Sequence, residues 1–262
     1  MTTAIVGAGL TGLACAAELG DALVLDRIPV PGGMHGWDQP ETVRLSAEAQ
    51  AAGATLHLGV TAVRWEDEEL LGVGPEGVLR IHPQALVIAS GARPLGRAEL
   101  GLAGDRPAGV LSAPAACHLA ESGLPAGRFP LVLGGGDWAL RATHELLAAG
   151  AERVLLLAPE GMLLDAPDDA RVTVLESGRP AVLHGRTRLE QVELENGDQL
   201  DCDALVLAHG LVPVRNVDGA LYEAEGIVFA QPLDDPSPPQ VAEAAGRAAA
   251  AEVREIIERS SA

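Results

Sequence analysis

Apolar residues along this chain fall into short unbroken runs, and between the runs small and apolar residues recur at helical spacing. Ala4-Ile5-Val6, Ala22-Leu23-Val24-Leu25, Ala85-Leu86-Val87-Ile88-Ala89, Pro130-Leu131-Val132-Leu133, Arg153-Val154-Leu155-Leu156-Leu157 and Leu205-Val206-Leu207-Ala208 each read as a strand. Continuous runs of this kind belong in the middle of parallel sheets, covered on both faces. Residues 13–19, 41–52, about 112–122, 139–149 and about 240–257 read as helices, with Gly20, Gly53 and Gly150 as stops. Residues 55–60 and 226–230 predict two further strands. Shorter alternating segments at 62–65 and 78–81 predict a small antiparallel excursion with Gly72, Gly74 and Gly77 in its turns. Residues 172–175, 181–184 and 189–194 predict a second one, with Asn196-Gly197 as a hairpin turn. Strands alternating with helices in this order predict an α/β fold.

The chemistry concentrates at the first run. Gly7-Ala8-Gly9-Leu10-Thr11-Gly12 follows it directly and fits G-x-G-x-x-G. In that pattern the first glycine permits the tight turn, the second lets backbone approach a pyrophosphate, and the third lets the helix pack closely on the sheet. The anion then meets free N–H groups at a helix N-terminus. Asp26 closes the next strand, where an acid can hold a ribose hydroxyl. The strand before, the helix after and the acid agree on a bound dinucleotide. The loop that follows contains Gly32-Gly33 among prolines and reads either as a surface turn or as backbone that approaches something flat or charged.

The theme repeats after Pro130-Leu131-Val132-Leu133, where Gly134-Gly135-Gly136-Asp137-Trp138-Ala139 fits G-x-G-x-x-A. Trp138 puts a large indole in this turn, and the second strand ends in Ala158-Pro159, with Glu160 as the nearest acid for a ribose. Nothing there resembles the basic cluster expected for a 2′-phosphate, so NAD is favoured over NADP. A fold kept for structure alone is the other reading of this half.

Composition narrows the partners. The 262 residues carry a net charge of −19, which argues against nucleic acid or an anionic membrane. No apolar run is long enough to span a bilayer, and the first strand starts too early for a signal peptide, so the sequence predicts a cytoplasmic protein. Cys15, Cys117 and Cys202 are scattered, giving neither a C-x-x-C pair nor a metal-ligand set, and no metal is expected. Cys117, in Ala115-Ala116-Cys117-His118, reads as packing in preference to a catalytic thiol. His35 reads as a solvent-facing loop residue, with a place beside a flavin ring as the alternative.

Taken together, these motifs in this order resemble the two-dinucleotide-binding-domain flavoproteins of the pyridine nucleotide-disulfide oxidoreductase superfamily, of which thioredoxin reductase is a compact member. Carrying the resemblance are the two glycine fingerprints, Gly32-Gly33, the echo of Val87-Ile88-Ala89-Ser90-Gly91 in Val206-Leu207-Ala208-His209-Gly210, and the closing strand and helix. It covers essentially the whole chain. Residues 97–136, with Gly101-Leu102-Ala103-Gly104-Asp105-Arg106-Pro107-Ala108-Gly109-Val110, resemble one branch more closely: flavoprotein subunits of hydrogen cyanide synthase and of opine and proline dehydrogenases.

The resemblance implies two Rossmann-like three-layer domains, the second inserted in the first. Residues 1–104 and 212–262 would bind FAD, and residues 105–211 NAD(P)H. Pyrophosphate contacts would fall on Gly7, Gly9, Leu10, Thr11 and Gly12, and the adenosine ribose on Asp26 and Arg27. Gly32, Gly33 and Met34 would lie towards the pyrophosphate and flavin, Val60 to Val63 near the adenine, and Ala89, Ser90 and Gly91 along the nucleotide. Gln231, Gln240 and Val241 would meet the flavin end. In the second domain the nucleotide would meet Gly134, Gly136, Asp137, Trp138 and Glu160. Two departures stand out: Ala230-Gln231-Pro232 replaces the family's closing Ala-Gly-Asp, whose acid holds the ribityl chain, and the redox C-x-x-C is missing. The implied activity is that of an FAD-dependent oxidoreductase passing hydride or electrons between NAD(P)H and an acceptor other than a disulfide of this chain, such as an electron carrier. The alternative is a flavoprotein or degenerate subunit of a heteromeric dehydrogenase whose partner subunit holds the substrate site. No catalytic side chain is identified, and an oligomer is compatible with either.

Overall fold

A computed structural model describes residues 3–158, 167–231 and 238–261. In chain order the elements are β1 (Thr3–Val6), α1 (Leu10–Leu19), β2 (Ala22–Asp26), α2 (Pro40–Ala51), β3 (Thr55–Leu58), β4 (Thr61–Glu66), β5 (Glu69–Gly74), β6 (Gly77–Ile81), β7 (Ala85–Ile88) and β8 (Ala92–Pro94). There follow β9 (Ala103–Gly104), β10 (Val110–Ser112), α3 (Ala113–Glu121), β11 (Pro130–Leu133), α4 (Asp137–Ala148), β12 (Val154–Leu157), β13 (Val172–Leu175), β14 (Pro180–His184), β15 (Gln191–Leu194), β16 (Gln199–Asp201) and β17 (Ala204–Leu207). The chain closes with β18 (Leu211–Pro213), β19 (Ile227–Phe229) and α5 (Pro239–Ser261). None of the described helices is long and apolar enough to cross a membrane.

The fold is α/β, with two Rossmann-like units. Met1–Arg93 and Pro213–Ala262 form one, and Pro94–Val212, inserted between them in sequence, forms the other. In the first unit a parallel sheet runs in the order β19-β7-β1-β2-β3, and Ile5 is in register with Val24 on one side and Val87 on the other. In the second unit the order is β10-β17-β11-β12-β13, also parallel, with Leu131 between Leu155 and Leu205.

Each central strand is apolar throughout because successive side chains enter different cores. In β1, Ile5 joins the helix-side core, which includes Leu13 of α1, Leu45 of α2 and Val253 of α5; Ala4 and Val6 join the opposite core with Leu70 and Ile81 of the antiparallel ribbon. The second unit repeats the division. Val132, Leu156 and Val206 face α3 and α4, whereas Leu131, Leu155 and Leu205 face Leu183 and Val192 of the ribbon β14-β15-β16. Helices, parallel sheet and ribbon are thus three layers in each unit, and a run covered on both faces has no polar positions to alternate with.

Three local features depart from the sequence pattern. Gly72 is not in a turn but inside the middle strand, β5, of the ribbon β4-β5-β6, where a Cβ would come within 2.9 Å of a Val60 side-chain atom, while Gly74 ends that strand opposite Gly77 and flanks the β5-β6 turn at Pro75-Glu76. The β4-β5 hairpin turn is Asp67-Glu68, both with positive φ (50° and 60°), the conformation a two-residue hairpin loop demands. Third, residues 94–104 group with the second unit, because β9 pairs in parallel with β14, Val182 opposite Ala103.

Candidate functional site

The glycine turn between β1 and α1 is the best-defined site. Gly7 has φ +114°, and a Cβ there would collide with the carbonyl of Ala89 just beyond β7. A Cβ on Gly12 would collide with the carbonyl of Gly7. These two glycines are required by the chain's own packing. Gly9 is different: its φ of −73° suits any residue, and a Cβ on it would meet nothing within 4 Å. The open face of the turn is therefore over Gly9, at the N-terminus of α1. Leu13 makes the first intrahelical bond, to the carbonyl of Gly9 (2.9 Å), and no side chain caps the helix. No acid occupies its first turn either, and the positive end of the helix dipole faces that opening.

Asp26 holds the turn from below. Its Oδ2 accepts the amide of Ala8 (2.7 Å) and its Oδ1 the amide of Ile28 (2.8 Å). The sequence suggests a ribose ligand for this acid; the structure adds a buttress for the turn itself, and each oxygen keeps a lone pair for a further donor. The next loop closes on the same place. Gly32 donates its amide to the carbonyl of Ala8 (2.8 Å), and a Cβ on Gly33 would lie 3.3 Å from the Cα of Gly9. The Gly32-Gly33 loop is thus no free surface turn.

At the far side of Ala89, Ser90 donates its hydroxyl to the carbonyl of Val214. Gln231, just past β19, has its amide nitrogen 3.0 Å from Ser90 Oγ, 3.2 Å from the carbonyl of Gly91 and 2.9 Å from that of Val214. Its Oε1 is buried and without a hydrogen-bond partner among the described residues. Gly7, Gly9, Gly12, Asp26, Gly32, Gly33, Ala89, Ser90, Gly91 and Gln231 are therefore linked by direct contacts. Val214 was missed at the sequence level, since nothing local marks a carbonyl whose donors are Ser90, 124 residues earlier, and Gln231, 17 residues later.

Other candidates lie differently. Leu10 is buried in the helix-side core and can offer a ligand only its backbone; Thr11 is buried as well. Arg27 and Met34 are exposed. Val63, the extra residue where the β4-β5 register shifts, gives its carbonyl to the amide of Asp218 (3.0 Å). Gln240 and Val241 form the exposed first turn of α5, where the amides of Val241 and Ala242 both reach the carbonyl of Pro238 (2.9 and 3.1 Å). Pro232, in the altered closing motif, lies outside the described residues.

In the second unit Gly134 repeats the role of Gly7: its φ is +145°, and a Cβ would collide with the carbonyl of Ala208. Gly136 caps α4 without a side-chain hydrogen bond, and Asp137 is exposed at the first helical position. Trp138 corrects the sequence reading. Its indole does not stand in the turn; it is 2% exposed, in the helix-side core with Ala116 and Leu146, with the Arg141 guanidinium 5.4 Å from its ring centroid. An apolar residue one place into the helix turns back towards the core, so the Trp138 indole does not block this turn, and the residue can offer a nucleotide only its backbone. Glu160 lies outside the described residues.

The cysteines are Cys15, Cys117 and Cys202, all free and buried. Burial pushes the thiols of Cys15 and Cys202 up to about 12 and that of Cys117 up to about 11. None offers a thiolate near neutral pH.

No protein-family model matches the chain, and no curated protein sequence matches it. Solved structures do. The thioredoxin reductase of Lactococcus lactis aligns with a TM-score of 0.71 at 17% identity, over 98% of this chain and 99% of its own. A NAD-dependent persulfide reductase from A. fulgidus aligns with a TM-score of 0.70 at 17% identity, over 97% of this chain and 59% of its own. A water-forming NADH oxidase from Lactobacillus brevis, solved with NADH bound, aligns with a TM-score of 0.63 at 14% identity, over 97% of this chain and 69% of its own. The chain thus shares its fold along nearly its whole length with oxidoreductases of the thioredoxin reductase type.

Proposed function

We propose that the chain is an FAD-dependent oxidoreductase that passes hydride from a nicotinamide dinucleotide, NADH in preference to NADPH, to an acceptor that is not a disulfide of this chain. One observation carries the reading: Gly9 is a glycine that nothing in the protein requires, at an uncapped helix N-terminus, so it suits a ligand that approaches the backbone there. A dinucleotide pyrophosphate fits that chemistry, and the sequence resemblance makes the dinucleotide FAD.

The residues present fit the group. The α1 amides would take the pyrophosphate and Asp26 a ribose hydroxyl. Bound there, flavin would supply two-electron exchange between nicotinamide and acceptor. What the chain contributes is orientation: Asp26 and Gly32 hold the turn open, and the seam of Ser90, Val214 and Gln231 fixes the carboxyl end of β7 beside it. Three buried, protonated thiols support an acceptor outside the chain. NADH is preferred because no arginine follows β12 between Ala158 and Asp169.

A second reading, the flavoprotein subunit of a heteromeric dehydrogenase, is favoured by the resemblance of residues 97–136 to that branch. Visible absorption of the purified protein, before and after anaerobic NADH, separates the two. Flavin bands that bleach, with turnover on an artificial acceptor, are expected for the first reading. Bands that persist favour the second, and a protein that stays colourless after incubation with FAD overturns both.

A further inference from the structure

Thr42 in α2 and Thr143 in α4 both have no exposed surface, yet their hydroxyls are used differently. Thr143 bonds back within its own helix, to the carbonyl of Ala139 (2.8 Å), the usual habit of a helical threonine. Thr42, the third residue of α2, reaches out of its helix and donates to the carbonyl of Gly36 (2.8 Å), six residues earlier. That carbonyl lies against Gly32. Gly32 has φ +107°, and a Cβ on it would collide with the Gly36 carbonyl and come within 2.9 Å of the Thr42 methyl. Gly32 in turn donates its amide to the carbonyl of Ala8 (2.8 Å), inside the glycine turn, while the Ala8 amide donates to Asp26 Oδ2 (2.7 Å). Ala8 is therefore held through both of its peptide groups. A trans peptide points its C=O and N–H in opposite directions, and no peptide bond among the described residues is cis. The bond from Gly32 to the Ala8 carbonyl thus also sets the direction of the Gly9 amide, at the position with open space over it.

We propose that Thr42 is a positioning residue for the ligand of the glycine turn: its buried hydroxyl closes the loop 32–36, and through Gly32 and the Ala8 carbonyl it fixes the Gly9 amide that a pyrophosphate meets. The positioning half rests on the reading of the turn as the FAD site; the closing of the loop does not. Hydroxyl and methyl can be separated. Thr42→Val keeps the bulk against Gly32 and loses the donor, Thr42→Ser keeps the donor and loses the methyl, and Thr42→Ala loses both.

Two measurements on the isotope-labelled full chain test it: hydrogen exchange of the Gly32 amide without ligand, and the dissociation constant for FAD by flavin fluorescence. Thr42→Val is expected to speed Gly32 exchange and to weaken FAD, each about three- to tenfold, while Thr42→Ser stays within about twofold of wild type in both. The amide of Ile5 in β1 is expected to keep its rate, which a general loss of stability would not allow. Wild-type exchange at Gly32 in a folded Thr42→Val protein overturns the closing of the loop. Thr42→Ser as impaired as Thr42→Val assigns the loop to the methyl and overturns it too. Faster exchange with wild-type FAD affinity overturns the positioning role. Should Thr42→Val not fold, Thr42→Ser against Thr42→Ala isolates the same hydroxyl: an about three- to tenfold difference is expected, and equality overturns the proposal. A wild-type chain that binds ADP-ribose at the Gly9 amide resonance but no FAD sinks the flavin reading alone. ADP-ribose then takes the place of FAD in the same comparison, with an about three- to tenfold loss in Thr42→Val expected and equal affinity overturning the positioning role. A chain that binds neither sinks that role with the flavin reading, and Gly32 exchange still judges the closing of the loop.

Discussion

At the scale of single residues, the glycine fingerprint separates into positions the protein needs and one it does not. Gly7 and Gly12 are fixed by backbone a few ångströms away, whereas Gly9 faces open space. Gly9→Ala should therefore leave stability unchanged or raised by up to about 1 kcal/mol, yet weaken FAD by about tenfold or more, since the methyl would stand where the pyrophosphate approaches. Urea unfolding and flavin titration of the same variant check both halves; loss of stability with unchanged binding would move the role of Gly9 from ligand to fold. The thiols make a second prediction. Their ordinary value is 9.0, and burial raises all three in the folded state. The unfolded chain therefore releases these protons first as pH rises, and stability that is complete below about pH 9 declines above it. The slope is about 1.4 kcal/mol per pH unit for each thiol. The chain has no lysine and a single tyrosine, so few other side chains obscure the effect. Unfolding free energies measured from pH 8 to 10.5 test it, and a flat profile would contradict the assigned burial. Whether a cysteine packs was legible from its apolar neighbours; that Asp26 supports the turn was not, because the amides it accepts lie on a different element.

Among elements, the pairing of α1 with α5 is the contact that sequence periodicity reports least. Gly246 sits where the two helices cross: a Cβ there would collide with the carbonyl of Thr11 and come within 2.9 Å of the Ala14 side chain. Arg254 of α5 adds an ion pair to Glu18 of α1 (3.2 Å). In an isolated helix glycine to alanine gains about 1 kcal/mol. Here the sign inverts, and Gly246→Ala is expected to cost about 1–3 kcal/mol through overpacking, read as a lower urea midpoint. A midpoint equal to or above wild type would mean the helices can separate freely at this point. The antiparallel ribbon of the first unit shows the opposite failure. Gly72 reads as a turn residue, but it lies inside β5 because Val60 covers it, and the β4-β5 turn fell to Asp67-Glu68, which has no glycine. Composition marks the need for glycine without saying whether a bend or a close neighbour creates it.

For the whole molecule, the order of segments has mechanical consequences. The second unit is one continuous stretch, Pro94–Val212, whereas the first depends on Pro213–Ala262 returning to supply β19 and α5. Expressed alone, residues 94–212 are expected to melt cooperatively, and residues 1–93 are expected not to fold, since α5 supplies Val253 and Ala250 to their core. Circular dichroism melts of the two fragments check this, and a cooperative transition in residues 1–93 would show that the returning segment is dispensable. The similarity of fold to the thioredoxin reductase of Lactococcus lactis spans nearly the whole chain at 17% identity, a level that carries architecture and not chemistry.

By itself the sequence determined the α/β class, the repeat of one strand–glycine–helix theme, the stripe of doubly covered strands and the absence of a C-x-x-C pair. All of these are local or periodic properties, written in neighbouring residues. The tertiary structure decided the rest: that Trp138 turns into the core, that Gly9 alone of Gly7, Gly9 and Gly12 has open space where a Cβ would be, and that Gln231 is held by residues 140 and 141 positions earlier. Those facts depend on which surfaces meet once the sheets have formed, and contacts across such distances leave no pattern along the chain.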